Sequence, residues 1–184
     1  MSGRKPKLHA ASARLRAKLM RVKLLLCDVD GVLTNGEVWI GEGMELKRFN
    51  IQDGLGLVTL RREGIKVGWI SSRASSATTQ RAEELKIDFL VQRRGSKVEA
   101  VEQLLAEANL SWNSVCFVGD DIVDIGPLKR AGVAVAVANA VEETKAVADY
   151  ITKAHGGYGA IREIVELILK AQGKWARVIS SHAG

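Results

Sequence analysis

The stretch Leu24-Leu25-Leu26-Cys27-Asp28-Val29-Asp30-Gly31-Val32-Leu33-Thr34 decides how this chain is read. An apolar run leads into two aspartates spaced two apart, and a glycine follows. Such a run suits a strand buried on both faces of a parallel sheet. Carboxylates at its end belong at the carboxyl edge of that sheet, where open α/β folds bind their ligands. Strand residues alternate faces, so Asp28 and Asp30 share a side if the extended form persists through them. Gly31 lets the backbone turn and approach a ligand closely. Two carboxylates crowded into a crevice repel, so either one holds a proton or a cation lies between them, and an oxygen-seeking ion such as Mg2+ suits that place. One aspartate would then attack phosphorus while the other carries the leaving-group proton. A solvated turn in which both aspartates bond the local backbone explains the same residues. The remainder of the chain decides between the two.

Outward from this stretch, composition sets the class. The 184 residues are enough for one domain with a sizeable core. A hydrophobic content of 47% and a charged content of 26% are those of a globular protein, and no apolar run reaches the length of a membrane span. The N-terminal residues are basic and broken by Pro6, without the apolar centre of a signal peptide. Cys27 and Cys116 fall inside expected strands and read as reduced core residues, which places the protein in the cytoplasm. The net charge of +6 is uneven: residues 1–23 hold eight of the 27 basic residues and no acid, leaving the rest slightly acidic. Residues 1–21 are therefore read as a basic N-terminal arm, residues 22–172 as the domain and residues 173–184 as a polar tail. A solvated extension is the ordinary form of such an arm, although it could hold nucleic acid. Leu15, Leu19 and Val22 recur at helical spacing within it.

Strand and helix signals alternate along the domain. Val38, Ile40, Leu46 and Phe49 flank Gly41-Glu42-Gly43, a hairpin. A hairpin alone is barely stable, so it packs either on its own domain or against hairpins of other subunits. Asp53 is placed to cap a helix over residues 54–63. Strands are expected at 66–71, 89–91, 114–118 and 133–137, with Tyr150-Ile151 as a further edge. Helices are expected over 75–86, 97–108, 124–131 and 141–148, and a last one carries Ile161, Ile164, Val165 and Ile168 on one face. This order predicts a three-layer, Rossmann-like α/β fold: a mostly parallel sheet with helices on both faces.

The chemistry collects at strand ends. The first strand supplies Asp28 and Asp30, the second Ser71, and the helix after the third opens on Lys97. The fourth runs into Gly119-Asp120-Asp121-Ile122-Val123-Asp124. This order and spacing resemble the four motifs of the haloacid dehalogenase superfamily of phosphotransferases. The resemblance implies that Asp28 is the nucleophile and Asp30 the general acid and base. It implies that Asp28, the backbone carbonyl of Asp30 and Asp120 hold Mg2+, with Asp121 and Asp124 acting behind them. Ser71 and Lys97 would bind the phosphate. Phosphoryl transfer needs charge neutralised on the transferring oxygens and reactants held in line, which these residue types supply.

The gaps between motifs leave no room for a large cap domain. The hairpin, then Arg48-Phe49-Asn50-Ile51-Gln52-Asp53-Gly54, Gly68-Trp69-Ile70-Ser71-Ser72-Arg73, and the glycine-rich Gly156-Gly157-Tyr158-Gly159 before the last helix are similar to the cap-less 3-deoxy-D-manno-octulosonate 8-phosphate phosphatases. That resemblance implies a homotetramer in which the hairpins build a central barrel and a neighbouring subunit, with the C-terminal tail, closes each site. It also implies that Ser72, Arg73 and Arg81 contact a sugar-acid phosphate. Ser71-Ser72 stands where the family has Thr-Gly, so the hydroxyl is kept and bulk is added. Related phosphatases of nine-carbon sialic-type sugar acids, some with Glu in place of Arg73, are the alternative. A nucleic-acid-binding or scaffold protein on the same fold is a rival from another class, disfavoured by the retained Asp28, Asp30, Lys97, Asp120 and Asp124.

Overall fold

The computed structural model describes residues 13–183. Helix α1 (Ala13–Leu19) precedes strand β1 (Leu24–Cys27) and the hairpin β2 (Trp39–Gly41) and β3 (Met44–Leu46). Then come α2 (Ile51–Arg62), β4 (Lys66–Ser71), α3 (Ser76–Glu84), β5 (Phe89–Gln92) and α4 (Lys97–Ala108). Strand β6 (Val115–Gly119), α5 (Ile125–Arg130), β7 (Val133–Ala136), α6 (Glu142–Lys145) and β8 (Tyr150–Ile151) follow, and α7 (Ala160–Ala171) and α8 (Trp175–Ser181) end the chain. Six strands form one parallel sheet in the order β5-β4-β1-β6-β7-β8, while β2 and β3 pair antiparallel as a separate ribbon. This is the expected three-layer fold.

The central strands account for the layering. In β1, Leu25 and Cys27 enter one apolar cluster and Leu24 and Leu26 the other; in β6, Cys116 and Val118 divide from Val115 and Phe117 in the same way. A strand apolar at every position can be satisfied only when both faces are covered. Helices α1, α2 and α7 cover the first face, with Leu57, Leu60, Ile161, Ile164, Val165 and Ile168 buried there; α4 and α5 cover the second with Val101, Leu104, Leu105 and Leu128. From β1 the chain moves outward to β4 and β5, then returns to the other side of β1 as β6. The carboxyl ends of β1 and β6 therefore lie side by side where the strand order reverses, the place such folds reserve for ligands.

Three local expectations are corrected. Helix α2 begins at Ile51, and its cap is Asn50, whose Oδ1 accepts from the amides of Gln52 (2.7 Å) and Asp53 (3.3 Å). Asp53 is buried instead against α7, where it accepts from the amides of Gly159 (3.3 Å) and Arg162 (2.7 Å). It caps a helix more than a hundred residues away, which no local pattern discloses. Residues 13–21, grouped with the basic arm by charge, belong to the body, because Leu15, Leu19 and Val22 enter the core; residues 1–12 of that arm lie outside the described residues. The polar tail contains α8, with Val178 buried, and Gln172 Nε2 donates to the carbonyls of Leu19 (3.3 Å) and Val22 (2.9 Å) just before β1. Lys174 Nζ donates to Glu63 O (2.8 Å), just before β4, and Arg177 pairs with the Glu63 carboxylate. The tail is thus fastened to the amino edge of the sheet, the end opposite the aspartates.

Asp53→Ala removes the buried carboxylate that accepts from two half-buried backbone donors and is expected to lower unfolding free energy by about 1–3 kcal/mol. Urea denaturation checks this, and a change within a few tenths of a kcal/mol would contradict the capping role.

Candidate active site

Strand β1 ends at Cys27, but the Asp28 amide still donates to Val118 O (2.9 Å), so Asp28 is carried to the carboxyl edge on the ladder with β6. The extended form does not continue through Asp30. The chain turns at Gly31 (φ +88°), and the Thr34 hydroxyl holds the turn by accepting from the Gly31 (3.3 Å) and Gly36 (3.2 Å) amides. A Cβ on Gly31 would lie 2.0 Å from Asp120 Oδ2, so glycine is required both for the turn and for Asp120.

Lys97 is the first residue of α4, and a cation there opposes the helix dipole. The site explains the placement. Lys97 Nζ lies 2.6 Å from Asp28 Oδ1 and 2.7 Å from Asp124 Oδ1, and all three side chains are buried. Burial pulls the ammonium toward neutrality, but the two carboxylates overcome it and hold its pKa above the ordinary value. Asp124 Oδ2 accepts from the amides of Asp120 (3.0 Å) and Asp121 (3.4 Å), which fixes the turn after β6. A Cβ on Gly119 would strike Asp124 at 2.5 Å, so this turn also needs glycine.

Asp28, Asp120 and Asp124 each place a carboxylate oxygen within 4.8 Å of the others. Asp120 Oδ1 is buried without a hydrogen-bond partner. Burial, and next the repulsion of Asp124, push the Asp28 carboxyl up to about 6 despite Lys97. Burial, then Asp28, Asp124 and Asp121, push Asp120 up to about 8. Three carboxylates against one ammonium leave a formal charge of two negative units in a desolvated crevice. A divalent cation balances that count, and the unpartnered Asp120 oxygen is a donor suited to it.

The other expected residues fall in three places. Ser71 is buried at the end of β4, its hydroxyl donating to Arg73 O and accepting from Arg73 N, each at 3.0 Å. Ser72 is exposed beside it, and Asp121 is exposed with Oδ1 accepting from the Ile122 amide (2.7 Å). Arg73 Nη2 pairs with Glu45 of the hairpin, while its Nη1 is buried without a partner. Arg81 lies on α3 one turn beyond Thr78, pairs with Glu84 (2.6 Å) and reaches over Gly54, with its Nε buried and unpartnered.

Sequence reasoning missed Glu45 and Lys47. Both come from β3 and its continuation, two residues apart and so on one side of the ribbon. Glu45 Oε1 accepts from the Ser75 hydroxyl (2.5 Å), and bonds from Arg73 and Ser75 hold its carboxyl below the usual range. Lys47 Nζ lies 2.7 Å from Asp30 Oδ1 and 3.2 Å from Thr78 Oγ1. The alternation of Glu45 and Lys47 with Met44 and Leu46 was the available signal.

Fold and site define a class: an uncapped, Rossmann-like parallel α/β domain with an aspartate pair, a lysine and a crevice suited to a divalent cation at the carboxyl edge. The model of haloacid dehalogenase-like hydrolases matches residues 69–164. The 3-deoxy-D-manno-octulosonate 8-phosphate phosphatase KdsC of Escherichia coli is 39% identical over 164 residues, covering 89% of this chain and 87% of its own length. A crystal structure of the phosphatase of that name from Moraxella catarrhalis, in complex with magnesium, phosphate and KDO, superposes with a TM-score of 0.89 at 38% identity over 91% of this chain and 97% of the other. The cobalt-bound Haemophilus influenzae protein superposes with a TM-score of 0.83 at 35% identity over 85% of this chain and 92% of the other. The chain belongs to the 3-deoxy-D-manno-octulosonate 8-phosphate phosphatase family of the haloacid dehalogenase-like hydrolases, and it is a phosphatase.

The raised carboxyls give a pH test. Between the ordinary value of 3.8 and the shifted values of about 6 and about 8, the folded metal-free chain binds more protons than the unfolded chain. This contribution to stability is whole below 3.8 and is lost as pH rises through that window. Mg2+ relieves the repulsion that replaces it, so the rise in melting temperature on adding Mg2+ to EDTA-treated protein is expected to be larger at about pH 8 than at about pH 5. Thermal melts at both pH values check this, and an equal or smaller shift at the higher pH would contradict it.

Proposed function

We propose that this phosphatase hydrolyses 3-deoxy-D-manno-octulosonate 8-phosphate to the free sugar acid and inorganic phosphate. The observation that carries the reading is the convergence of Asp28, Asp120, Asp124 and Lys97 on one crevice beside Asp30. The Moraxella catarrhalis relative, bound to magnesium, phosphate and KDO, supports the choice of substrate.

An oxygen of Asp28 attacks phosphorus as the bond from phosphorus to the sugar oxygen breaks, giving an aspartyl phosphate. Asp30 delivers its proton to the departing oxygen. Asp30 then takes a proton from water as that water attacks phosphorus, which frees Asp28 and releases phosphate. Lys97 neutralises one Asp28 oxygen and sits where transferring oxygens need a cation. Asp28, the Asp30 carbonyl and Asp120 would hold Mg2+, which would supply further neutralisation of phosphoryl charge, while Asp124 and Asp121 fix the loop after β6 through its backbone amides. Ser71 lines the phosphate end, and Ser72 bounds the approach to it. The unpartnered Nη1 of Arg73 is a donor suited to the sugar carboxylate, and an arginine at this position, where some sialic-type phosphatases have Glu, favours the eight-carbon acid.

The functional unit in this reading is a homotetramer working in the cytoplasm. The hairpin presents Trp39, Ile40, Met44 and Leu46 at 53–80% exposure on a ribbon that joins no other strand among the described residues. A second copy of the hairpin is the occupant that covers such a face. Because α8 is fastened at the amino edge of its own sheet, closure of the crevice falls to a neighbouring subunit. No helix among the described residues is long and apolar enough to cross a membrane.

Asp28→Asn is expected to lower turnover of the sugar phosphate by at least about a thousandfold without changing the solution mass. Phosphate release and light scattering test this, and parental turnover in that variant would overturn the nucleophile assignment. Ile40→Lys is expected to shift the solution mass from tetramer toward smaller species; an unchanged mass would sink the hairpin interface.

A further inference from the structure

The residue that ties the hairpin to the chemistry is Lys47. Its side chain has no exposed surface, although it projects from a ribbon whose outer residues are largely open to solvent. A buried ammonium is costly unless it is paired. Lys47 is paired twice, with Asp30 Oδ1 at 2.7 Å and with Thr78 Oγ1 on α3 at 3.2 Å. Asp30 itself follows the end of β1, in the turn made by Gly31, and its carboxylate is 27% exposed. No sheet ladder holds it there. Its ion-pair partner among the described residues is Lys47, which is fixed in turn by Thr78 and by the neighbouring grip of Glu45 on Arg73 and Ser75.

We infer that Lys47 is a positioning residue for the phosphatase reaction: anchored on Thr78, it holds the Asp30 carboxyl in the orientation from which a proton reaches the leaving sugar oxygen. This rests on the assignment of Asp30 as general acid made under Proposed function. The consequence is selective. A sugar alkoxide leaves poorly without a proton, whereas 4-nitrophenolate leaves without one. Loss of orientation at Asp30 therefore weakens attack on the sugar ester far more than attack on the aryl ester. A purely structural ion pair would weaken both alike.

The test compares kcat/KM for 3-deoxy-D-manno-octulosonate 8-phosphate and for 4-nitrophenyl phosphate at saturating Mg2+. This ratio reports the steps up to phosphoryl transfer onto Asp28 and is blind to the later hydrolysis, which is common to both esters. Lys47→Met is expected to lower it about 10- to 100-fold on the sugar ester, with a fall at least tenfold smaller on the aryl ester, and Lys47→Arg is expected to recover part of the loss. Equal falls on both esters, or no fall on either, would overturn the proposal. If Lys47→Met does not fold, Thr78→Val carries the test, since it loosens the ammonium without stranding a charge. A fall on the sugar ester at least about threefold greater than on the aryl ester is then expected, and equal effects overturn the proposal. Asp30→Asn run beside these variants separates the two readings. If it is selective and the Lys47 variants are not, only the role of Lys47 falls. If it is not selective, the general-acid assignment falls and takes the proposal with it.

Discussion

The site depends on one ammonium placed between two carboxylates. Lys97 bridges Asp28 and Asp124 with all three buried, and around that bridge the strand ends close. Removing the Lys97 charge leaves two carboxylates desolvated and uncompensated, a large penalty inside a protein. The bridge nevertheless does not neutralise the crevice. Asp120 adds another carboxylate with an unpartnered buried oxygen, and the residual pair of negative charges calls for a divalent cation. A fold that gathers this much like charge is held short of its most stable state, which is the usual cost of an active site built on a tightly packed sheet.

The backbone accommodates the crowding through glycine. Gly31 and Gly119 stand where any side chain would run into Asp120 or Asp124. The turn after β1 can approach Asp120 because Gly31 carries no Cβ, and Asp124 can fold back on the end of β6 because Gly119 carries none. Sheet topology does the rest, since the reversal of strand order brings these two carboxyl ends together. The fold supplies proximity, the glycines clearance, and Lys97 enough counter-charge for the carboxylates to remain together.

Much of this was legible in the chain. The apolar run before Asp28, the motif ending at Asp124 and the start of α4 at Lys97 are local signals with a physical reading, and the structure brings them together. Lys97 was readable from its place at the start of the helix after the third strand, in the order of the other charged strand ends. What was hidden depends on contacts distant in sequence. Asp53 and Asn50 are both good caps by type, and only the packing of α7 decides that Asp53 serves Gly159 and Arg162. Glu45 and Lys47 lie on a ribbon with no core face of its own, so alternation could not say which side meets the site. Arg81 was expected at the substrate from resemblance alone, and its place between α2 and α3 follows from Glu84 and Gly54.

The central claim is that Asp28 takes up the phosphoryl group. Chemical trapping tests it most directly: the enzyme is mixed with Mg2+ and sugar phosphate, quenched in acid during turnover and reduced with borohydride, and its peptides are read by mass spectrometry. An acyl phosphate on Asp28 is converted to homoserine at position 28, and that is the result predicted. Homoserine at another aspartate, or an unmodified Asp28 under conditions where phosphate is being released, would contradict the account.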